Sequence, residues 1–231
     1  MWHRDVVGDV TVRRQEVHMA RITVIGGTGY VGAAIVAQAA ARGHRVTAVA
    51  RSVPMVPIDG VTYLQGSALS PGVRTRAFDG ADAVVTATSP RGDMVDRHVE
   101  LASVLARCAI ETGARLIVVG GFSSLRPAPG NPRFIEGDIP REYRAEAQAG
   151  HAVLESLLAA DPALDWTFVS PAATFGAFAP GEATGTYRLG SDVAVFDADG
   201  KSFVSAPDFA KAIIDLIDTD AHHREHVSVV G

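Results

Sequence analysis

Short apolar runs alternate with longer segments of helical periodicity along most of the chain. The first run, Ile22–Ile25, is rich in β-branched residues and lacks polar alternation, which is typical of a strand buried on both faces. Five similar runs follow, at Arg45–Ala50, Val61–Gln65, Ala81–Thr88, Arg115–Gly120 and Trp166–Ser170. Helical patterns separate most of them, from the first glycines to about Arg42, at Pro71–Phe78, at Asp93–Thr112 and at Arg141–Ala160. This alternation predicts an α/β fold with a doubly wound parallel sheet.

The pattern changes after Phe175, where prolines and glycines interrupt the chain. The elements predicted there are strands at Thr186–Leu189, Val193–Phe196 and Phe203–Ser205 with a turn at Asp199-Gly200, a helix from Pro207 to about Asp218 and a strand at His226–Val230. We expect residues 172–206 and the proline-rich stretch 122–142 to form a lid and a small C-terminal substrate lobe.

Three glycines join the first strand to the first helix, in the order Gly26-x-x-Gly29-x-x-Gly32. The first allows a sharp turn, the second leaves backbone N–H groups open to a phosphate, and the third allows the helix to pack closely on the strand. The positive end of the helix dipole then faces a pyrophosphate. A tight turn without a ligand is the alternative. The pattern favours a dinucleotide-binding Rossmann fold with cofactor contacts from Gly26, Thr28, Gly29, Tyr30, Val31 and Gly32.

The second strand ends at Arg51 and Ser52, where this fold meets the adenosine ribose. An acidic residue at this point binds the 2′-hydroxyl of NAD, whereas an arginine accepts the 2′-phosphate of NADP. No Asp or Glu lies between Gly32 and Asp59, so Arg51 predicts a preference for NADP(H) over NAD(H). An ordinary solvated arginine is the alternative.

Polar and small residues follow the other strands at the same carboxyl edge, where open α/β sheets bind ligands. Ser123 is the best-placed hydroxyl on the nicotinamide side, although serine is also common in plain turns. Tyr143, on the helix after the proline-rich stretch, is a candidate proton donor or a packing residue. Further cofactor contacts are expected from Ser67 and Ala68 beside the adenine, and from Thr88, Ser89, Gly121 and Pro171.

Length and composition fit one domain with a core on both faces of its sheet. Of 231 residues, 47% are hydrophobic. The net charge of −5 disfavours nucleic acid and anionic membranes as partners, and no apolar run reaches the roughly 18 residues of a membrane span. The single cysteine, Cys108, excludes an internal disulfide, which fits a reducing cytoplasm. We expect a flexible arm at 1–18 and a domain at 19–231 that works on a small molecule as a monomer or homodimer.

Histidines offer the only candidate metal ligands of note. His222, His223 and His226 cluster near the C-terminus, but their spacing supplies no further ligand. We expect an exposed tail there and no metal site. His98, in the third predicted helix, is expected to be packed or solvated and not catalytic.

Several segments resemble the atypical short-chain dehydrogenase/reductase superfamily, in its NmrA-like NAD(P)H-binding branch. The motif GGTGYVG, with Arg51-Ser52 after it, is shared widely in that superfamily. More specific similarity to NADH-flavin reductases lies in VVGGFSSL at Val118–Leu125, DWTFVSPAATF at Asp165–Phe175, PGEATGTYRLG at Pro180–Gly190 and SAPDFAKAIIDLID at Ser205–Asp218. The resemblance covers nearly all residues from about Arg21 to Gly231, and it implies an NAD(P)H-dependent flavin reductase-like enzyme.

The sequence also departs from these relatives. Ser67 stands where the family commonly has an acidic residue, and Phe122 replaces a small one. The classical Tyr-x-x-x-Lys pair, in which the lysine lowers the pKa of the tyrosine, is missing because Ala147 stands four residues after Tyr143. A classical carbonyl reductase is therefore disfavoured.

The leading hypothesis is hydride transfer from NADPH to a free flavin or a similar conjugated acceptor such as a quinone. This reaction needs little proton chemistry from the protein. One alternative is a non-catalytic NADP(H)-sensing regulatory protein. Another is a tailoring reductase or isomerase in secondary metabolism.

Overall fold

The computed structural model describes residues 19–231, and the arm predicted at 1–18 lies outside the described residues. Eight strands in this part form one sheet in the order β3-β2-β1-β4-β5-β6-β8-β7. All neighbours are parallel except β7, which runs antiparallel to β8. The strands are β1 Arg21–Ile25, β2 Arg45–Ala50, β3 Thr62–Gln65, β4 Ala83–Thr86, β5 Arg115–Val119, β6 Trp166–Pro171, β7 Arg188–Gly190 and β8 Glu225–Val230. The doubly wound parallel sheet is confirmed.

Helices cover both faces of the sheet. They are α1 Tyr30–Ala41, α2 Pro71–Phe78, α3 His98–Thr112, α4 Arg141–Leu158 and α5 Ala206–Asp218. One apolar core lies under α1 and α5, which pack against each other, and a second lies under α2, α3 and α4. Phe209 of α5 and Phe168 of β6 are both fully buried, one in each core. The two-sided burial explains why the central strands carry so little polar alternation.

The parallel register brings the strand ends to one edge. Ile25, the last residue of β1, stands opposite Val49 of β2 and Thr86 of β4. The chain therefore leaves β1, β2 and β4 side by side, and β1 lies where the strand order reverses. Ligands of open α/β sheets bind at such a reversal point.

The three strands predicted between Thr186 and Ser205 do not pair with one another. Arg188–Gly190 joins the main sheet as its edge strand β7, with Leu189 opposite Val229. The strand predicted at Val193–Phe196 is wrong, because the backbone of Asp192 and Ala194 bonds to Arg126 and not to a neighbouring strand. The alternation of polar and apolar side chains predicts that a segment is extended, but it does not predict which strand the segment pairs with.

Two further expectations are corrected. The helix predicted from Asp93 begins only at His98, since Gly92 has a left-handed φ of +58° and a single 3-10 turn at Gly92–Met94 precedes it. His226 was expected in an exposed tail, but it is buried in β8, with 9% of its surface exposed. The strand predicted at His226–Val230 is confirmed as β8, and it is this buried strand that takes His226 out of the exposed cluster of histidines.

Candidate cofactor and acceptor site

The turn after β1 is built so that two of its glycines admit no side chain. Gly26 adopts a left-handed φ of +83°, and a Cβ there would lie 2.8 Å from the carbonyl oxygen of Ala87. A Cβ on Gly32 would lie 2.0 Å from the carbonyl oxygen of Gly26. Gly27, which sequence reasoning passed over, is also confined, because its Cβ would meet the Cβ of Ala48 at 2.8 Å. The turn thus brings the start of α1 close to the end of β1.

The N-terminus of α1 is left open by this turn. Gly29 is the N-cap residue and has no side chain to accept from the first N–H groups, and the first helical turn contains no acidic residue. Four N–H groups at a helix start lack partners within the helix, and together with the helix dipole they attract an anion. A cradle of backbone donors that excludes Cβ atoms fits the pyrophosphate of a dinucleotide. Thr28, Tyr30 and Val31 lie on the same turn, so all six residues predicted here are brought together.

A charged pair lies at the end of β2, where the adenosine ribose is expected. Arg51 donates from Nη1 to both carboxylate oxygens of Asp93, at 3.1 and 3.3 Å, and both side chains are over 70% exposed. Gln65, at the end of β3, donates to the carbonyl oxygen of Arg51 at 3.2 Å. Ser67 follows β3, with Ala68 beside it, and its hydroxyl accepts from the N–H of Leu69. Asp93 was missed because it lies 42 residues beyond Arg51, in the loop after β4.

The end of β4 places hydroxyl groups over a buried histidine. The Oγ1 atoms of Thr86 and Thr88 lie 3.1 Å apart, and Ser89 follows in the loop. Both threonines line a cavity of about 10 Å³, room for one water molecule, together with the buried side chain of His98. Burial lowers the pKa of His98, against the opposing charge of Glu146. At neutral pH this imidazole is therefore uncharged.

Beyond β5, the chain forms a 3-10 turn at Phe122–Ser124 that carries the predicted hydroxyl Ser123. Ser123 is partly exposed, whereas Ser124 is buried. The ring of Phe122 stacks on Phe134 with centroids 4.8 Å apart, and Phe196 meets it edge-on at 6.3 Å. Hence Ser123 lies beside a cluster of three aromatic rings, which we call the aromatic shelf (Phe122, Phe134 and Phe196).

Tyr143 lies near the start of α4 and is 59% exposed. Three residues later on the same helix, Glu146 accepts from Arg91 at 2.7 Å, which ties α4 to the loop after β4. The helix also packs against the Phe122–Ser124 turn. Among residues 19–231 no hydrogen bond joins Tyr143 to Ser123, so the two candidate catalytic groups are not directly hydrogen-bonded to each other.

A buried chain of hydrogen bonds runs behind the Phe122–Ser124 turn. Arg133 lies 3.2 Å from Nδ1 of His226, and Nε2 of His226 lies 2.8 Å from the hydroxyl of Ser170. Ser170 donates to the carbonyl oxygen of Gly121 at 2.9 Å. Pro171 follows Ser170 as the buried last residue of β6. Sequence reasoning missed Arg133 and considered His226 only as a metal-ligand candidate, because no local pattern joins positions 93 residues apart.

The surroundings of His226 keep its imidazole uncharged within this chain of hydrogen bonds. Burial lowers the pKa of His226 to about 3, and the positive charge of Arg133 adds to the effect. Burial also lowers the pKa of Arg133, which stays charged because an arginine pKa starts far above neutrality. Its second Nη atom lies 3.4 Å from Asp192.

No group of three His, Cys, Asp or Glu side chains within residues 19–231 is arranged to hold a metal ion. In the same part of the chain, no helix has the length and apolar character needed to cross a membrane.

Known proteins share this architecture. The chain matches the NAD(P)H-binding family over residues 26–220. It is 32% identical over 214 residues to the uncharacterized protein YwnB of Bacillus subtilis, covering 91% of this chain and 98% of YwnB.

Solved structures agree over similar lengths. A Streptococcus pneumoniae protein provisionally named an NADH-flavin reductase has 29% identity and a TM-score of 0.81, covering 91% of this chain and 99% of that one. A Bacteroides thetaiotaomicron protein provisionally named an epimerase has 30% identity and a TM-score of 0.81, with 92% and 97% covered. A Burkholderia pseudomallei protein provisionally named an exported protein has 33% identity and a TM-score of 0.81, with 92% and 100% covered.

The fold and the open end of α1 define a dinucleotide-binding protein of the Rossmann type. The chain belongs to the NAD(P)H-binding family, among the atypical short-chain dehydrogenase/reductase-like proteins.

Proposed function

We propose that this protein is an NADPH-dependent reductase that passes hydride to a free flavin or a similar planar, conjugated acceptor. The observation that carries the proposal is the aromatic shelf beside Ser123 at the carboxyl edge. Aromatic rings stack offset or edge-on against other flat rings, so the shelf suits an isoalloxazine or quinone better than a small aliphatic carbonyl. The provisional name of the Streptococcus relative agrees with this class of acceptor.

The residues present suggest which part of the protein binds the cofactor and which part binds the acceptor. NADPH, when bound, supplies the hydride and the acceptor takes up one proton from solvent to balance the charge. The open end of α1 binds the pyrophosphate, and Arg51 binds the 2′-phosphate in place of Asp93. The aromatic shelf orients the acceptor and excludes water from one of its faces. Ser123 donates a hydrogen bond to the nicotinamide amide or to an acceptor carbonyl.

The lack of a Tyr-x-x-x-Lys pair agrees with such a reaction. Tyr143 is followed four residues later by Ala147, and more than half of its surface is exposed, so it lacks the lysine that completes the classical pair. Hydride transfer to an electrophilic ring does not require that acid. We place the reaction in the cytoplasm, in keeping with a single cysteine in a chain that uses a reduced cofactor.

The test is NADPH oxidation by the purified protein with FMN, riboflavin and a simple quinone in parallel, beside a control without acceptor. We expect acceptor-dependent turnover, and Ser123→Ala is expected to lower kcat/KM about tenfold. The matched control is Ser103→Ala, because Ser103 bonds only to the carbonyl of Val99 on α3, and its kcat/KM should be unchanged.

Other outcomes reject the proposal. Saturable binding of both NADPH and NADP⁺ without turnover would favour a nucleotide sensor. Turnover that is indifferent to Ser123→Ala would remove the role of that hydroxyl.

A further inference from the structure

The buried chain from Arg133 to Gly121 has a single consistent direction of donation. Arginine carries only donors, so the guanidinium donates to Nδ1 of His226, which must be unprotonated. The proton of a neutral imidazole then lies on Nε2, which donates to Ser170. The Ser170 hydroxyl proton is already given to the carbonyl oxygen of Gly121, so its oxygen is free to accept. Each group therefore fixes the orientation of the next one.

The hydrogen-bonded chain holds the Phe122–Ser124 turn, which we call the acceptor-side turn, at both of its ends. Ser170 bonds the carbonyl oxygen of Gly121, directly before Phe122. Arg133 bonds the carbonyl oxygen of Ser124, directly after Ser123, at 2.6 Å. The two residues assigned to the acceptor, Phe122 and Ser123, lie between these two held carbonyls. A role confined to core packing would not require hydrogen bonds to both of these carbonyl oxygens.

We infer that His226 is a positioning residue: as the Nε2–H tautomer it links the buried Arg133 to Ser170 and so fixes the turn that presents Phe122 and Ser123 to the acceptor. The inference rests on the proposed function where it is tested by turnover. The tautomer of His226 provides a second test that is independent of turnover.

The same network connects three parts of the molecule. Arg133 comes from the proline-rich stretch and His226 from β8. Asp192, from the 172–206 segment, lies within 3.4 Å of Arg133 and accepts from Arg126 at 2.9 Å. An acceptor that shifts the proline-rich stretch or the 172–206 segment would therefore change the position of the turn through Arg133.

The charged and titratable groups that face His226 are few. Arg133 and Arg126 lie on the proline-rich stretch, His151 on α4, and Asp192 on the 172–206 segment. The positive groups disfavour a positive charge on His226 and so keep the imidazole neutral, while the donor from Arg133 fixes its proton on Nε2.

The experiment compares three variants in the reductase assay at saturating NADPH, with NADPH affinity and melting temperature measured for each. His226→Gln retains an amide that accepts from Arg133 and donates to Ser170, since its oxygen and nitrogen can replace Nδ1 and Nε2. His226→Leu breaks both bonds. His44→Leu is the matched control, because His44 is also buried but accepts from Ala20 at the opposite edge of the sheet.

We expect His226→Leu to lower kcat/KM for the acceptor about tenfold or more while NADPH affinity changes less than about twofold. His226→Gln should keep most of the activity, and His44→Leu should lower only the melting temperature. Ser170→Ala should resemble His226→Leu, and the double variant should lose no more than either single one. The inference is overturned if His226→Leu keeps its kcat/KM, if His226→Gln is as impaired as His226→Leu, or if the double loss is additive.

The second readout is the imidazole nitrogen NMR spectrum of the full chain. We expect His226 as the Nε2–H tautomer, without titration between about pH 5 and pH 8. An Nδ1–H tautomer, or a titration near the ordinary histidine pKa, would refute the positioning chain. If the wild-type protein shows this tautomer but no turnover with any acceptor, the proposed function fails and the hydrogen-bonded chain stands on its own.

Discussion

Arg51 is the residue to which our proposal assigns the choice between NADPH and NADH, and Asp93 is its ion-pair partner. Sequence reasoning considered only the residues between Gly32 and Asp59, where no acid occurs, yet the fold brings an acid from beyond β4. Exposed ion pairs contribute only about 0.2–1 kcal/mol. A 2′-phosphate, with a charge near −2 and three acceptor oxygens, can therefore displace the single carboxylate.

Removing the Asp93 carboxylate, which competes with the 2′-phosphate for Arg51, should tighten NADPH binding. We expect Asp93→Asn to lower the Kd of NADPH about two- to fivefold at low salt, which corresponds to the energy of an exposed ion pair. The Kd of NADH should change little because it lacks the 2′-phosphate. Titration of NADPH and NADH fluorescence measures both values without any acceptor.

Glu100→Gln serves as the control for net charge. Glu100 lies on α3 and pairs with Arg97 at 3.1 Å, so the substitution removes the same charge away from Arg51. Equal tightening in both variants would show a general charge effect and not a local one. A weaker NADH complex in Asp93→Asn would mean that Asp93 holds the ribose hydroxyl instead.

At the scale of the element, α1 depends on contact between its first turn and the turn after β1. Gly32→Ala places a Cβ 2.0 Å from the backbone oxygen of Gly26, which neither segment can avoid without moving. We expect cofactor affinity to fall at least about tenfold and stability to fall by about 1–3 kcal/mol, as in overpacked cores. Urea unfolding and NADPH titration measure the two effects.

Gly150→Ala is the matched control for this substitution. Gly150 lies within α4, and a Cβ there would have nothing within 4 Å. The control should stabilise the protein by about 0.5–1 kcal/mol, because alanine loses less backbone entropy than glycine in a helix. A Gly32→Ala protein that binds NADPH normally would show that α1 is free to shift outward.

The elements differ in how far the sequence predicts them. Strands β1 to β6 follow local apolar runs, and the helical segments between most of them predict that the strands pair in parallel. The edge strand β7 pairs with Val229 and its neighbours, and the segment around Val193 pairs with Arg126. Both partners are distant in sequence, so local periodicity does not predict them. In the site, the glycine turn was predictable because it is contiguous, whereas Asp93, Arg133 and His226 meet their partners only through the fold.

The whole molecule contains several histidines that folding keeps uncharged. Burial lowers the pKa of His98, His151 and His226, the last to about 3. His223 is shifted the other way, because hydrogen bonds from its ring to Asp165 and to the carbonyl of Asp220 raise its pKa. These shifts connect acid stability to the site, since His226 belongs to the chain behind the acceptor-side turn.

The sign of the pH effect follows from proton counts. Below an ordinary histidine pKa of 6.5 the unfolded chain binds a proton at position 226, while the folded chain does not until about pH 3. The contribution of His226 is therefore constant above pH 6.5, and stability is lost as pH falls from there toward 3, by about 1.4 kcal/mol per pH unit. His226→Gln removes this titration and leaves the other histidines in place.

We expect the free energy of unfolding of the wild type, relative to His226→Gln, to fall by about 2 kcal/mol between pH 6.5 and about pH 4.5. Urea unfolding at a series of pH values measures this difference. His223→Gln gives the opposite control, because a raised pKa makes the wild type gain stability relative to that variant as pH falls below the folded pKa. Curves for wild type and His226→Gln that run parallel over this range would mean that position 226 is hydrated and titrates as in the unfolded chain. The neutral imidazole would then be no constant part of the hydrogen-bonded chain behind Phe122 and Ser123, and Ser170 and Arg133 would hold the acceptor-side turn without a link between them.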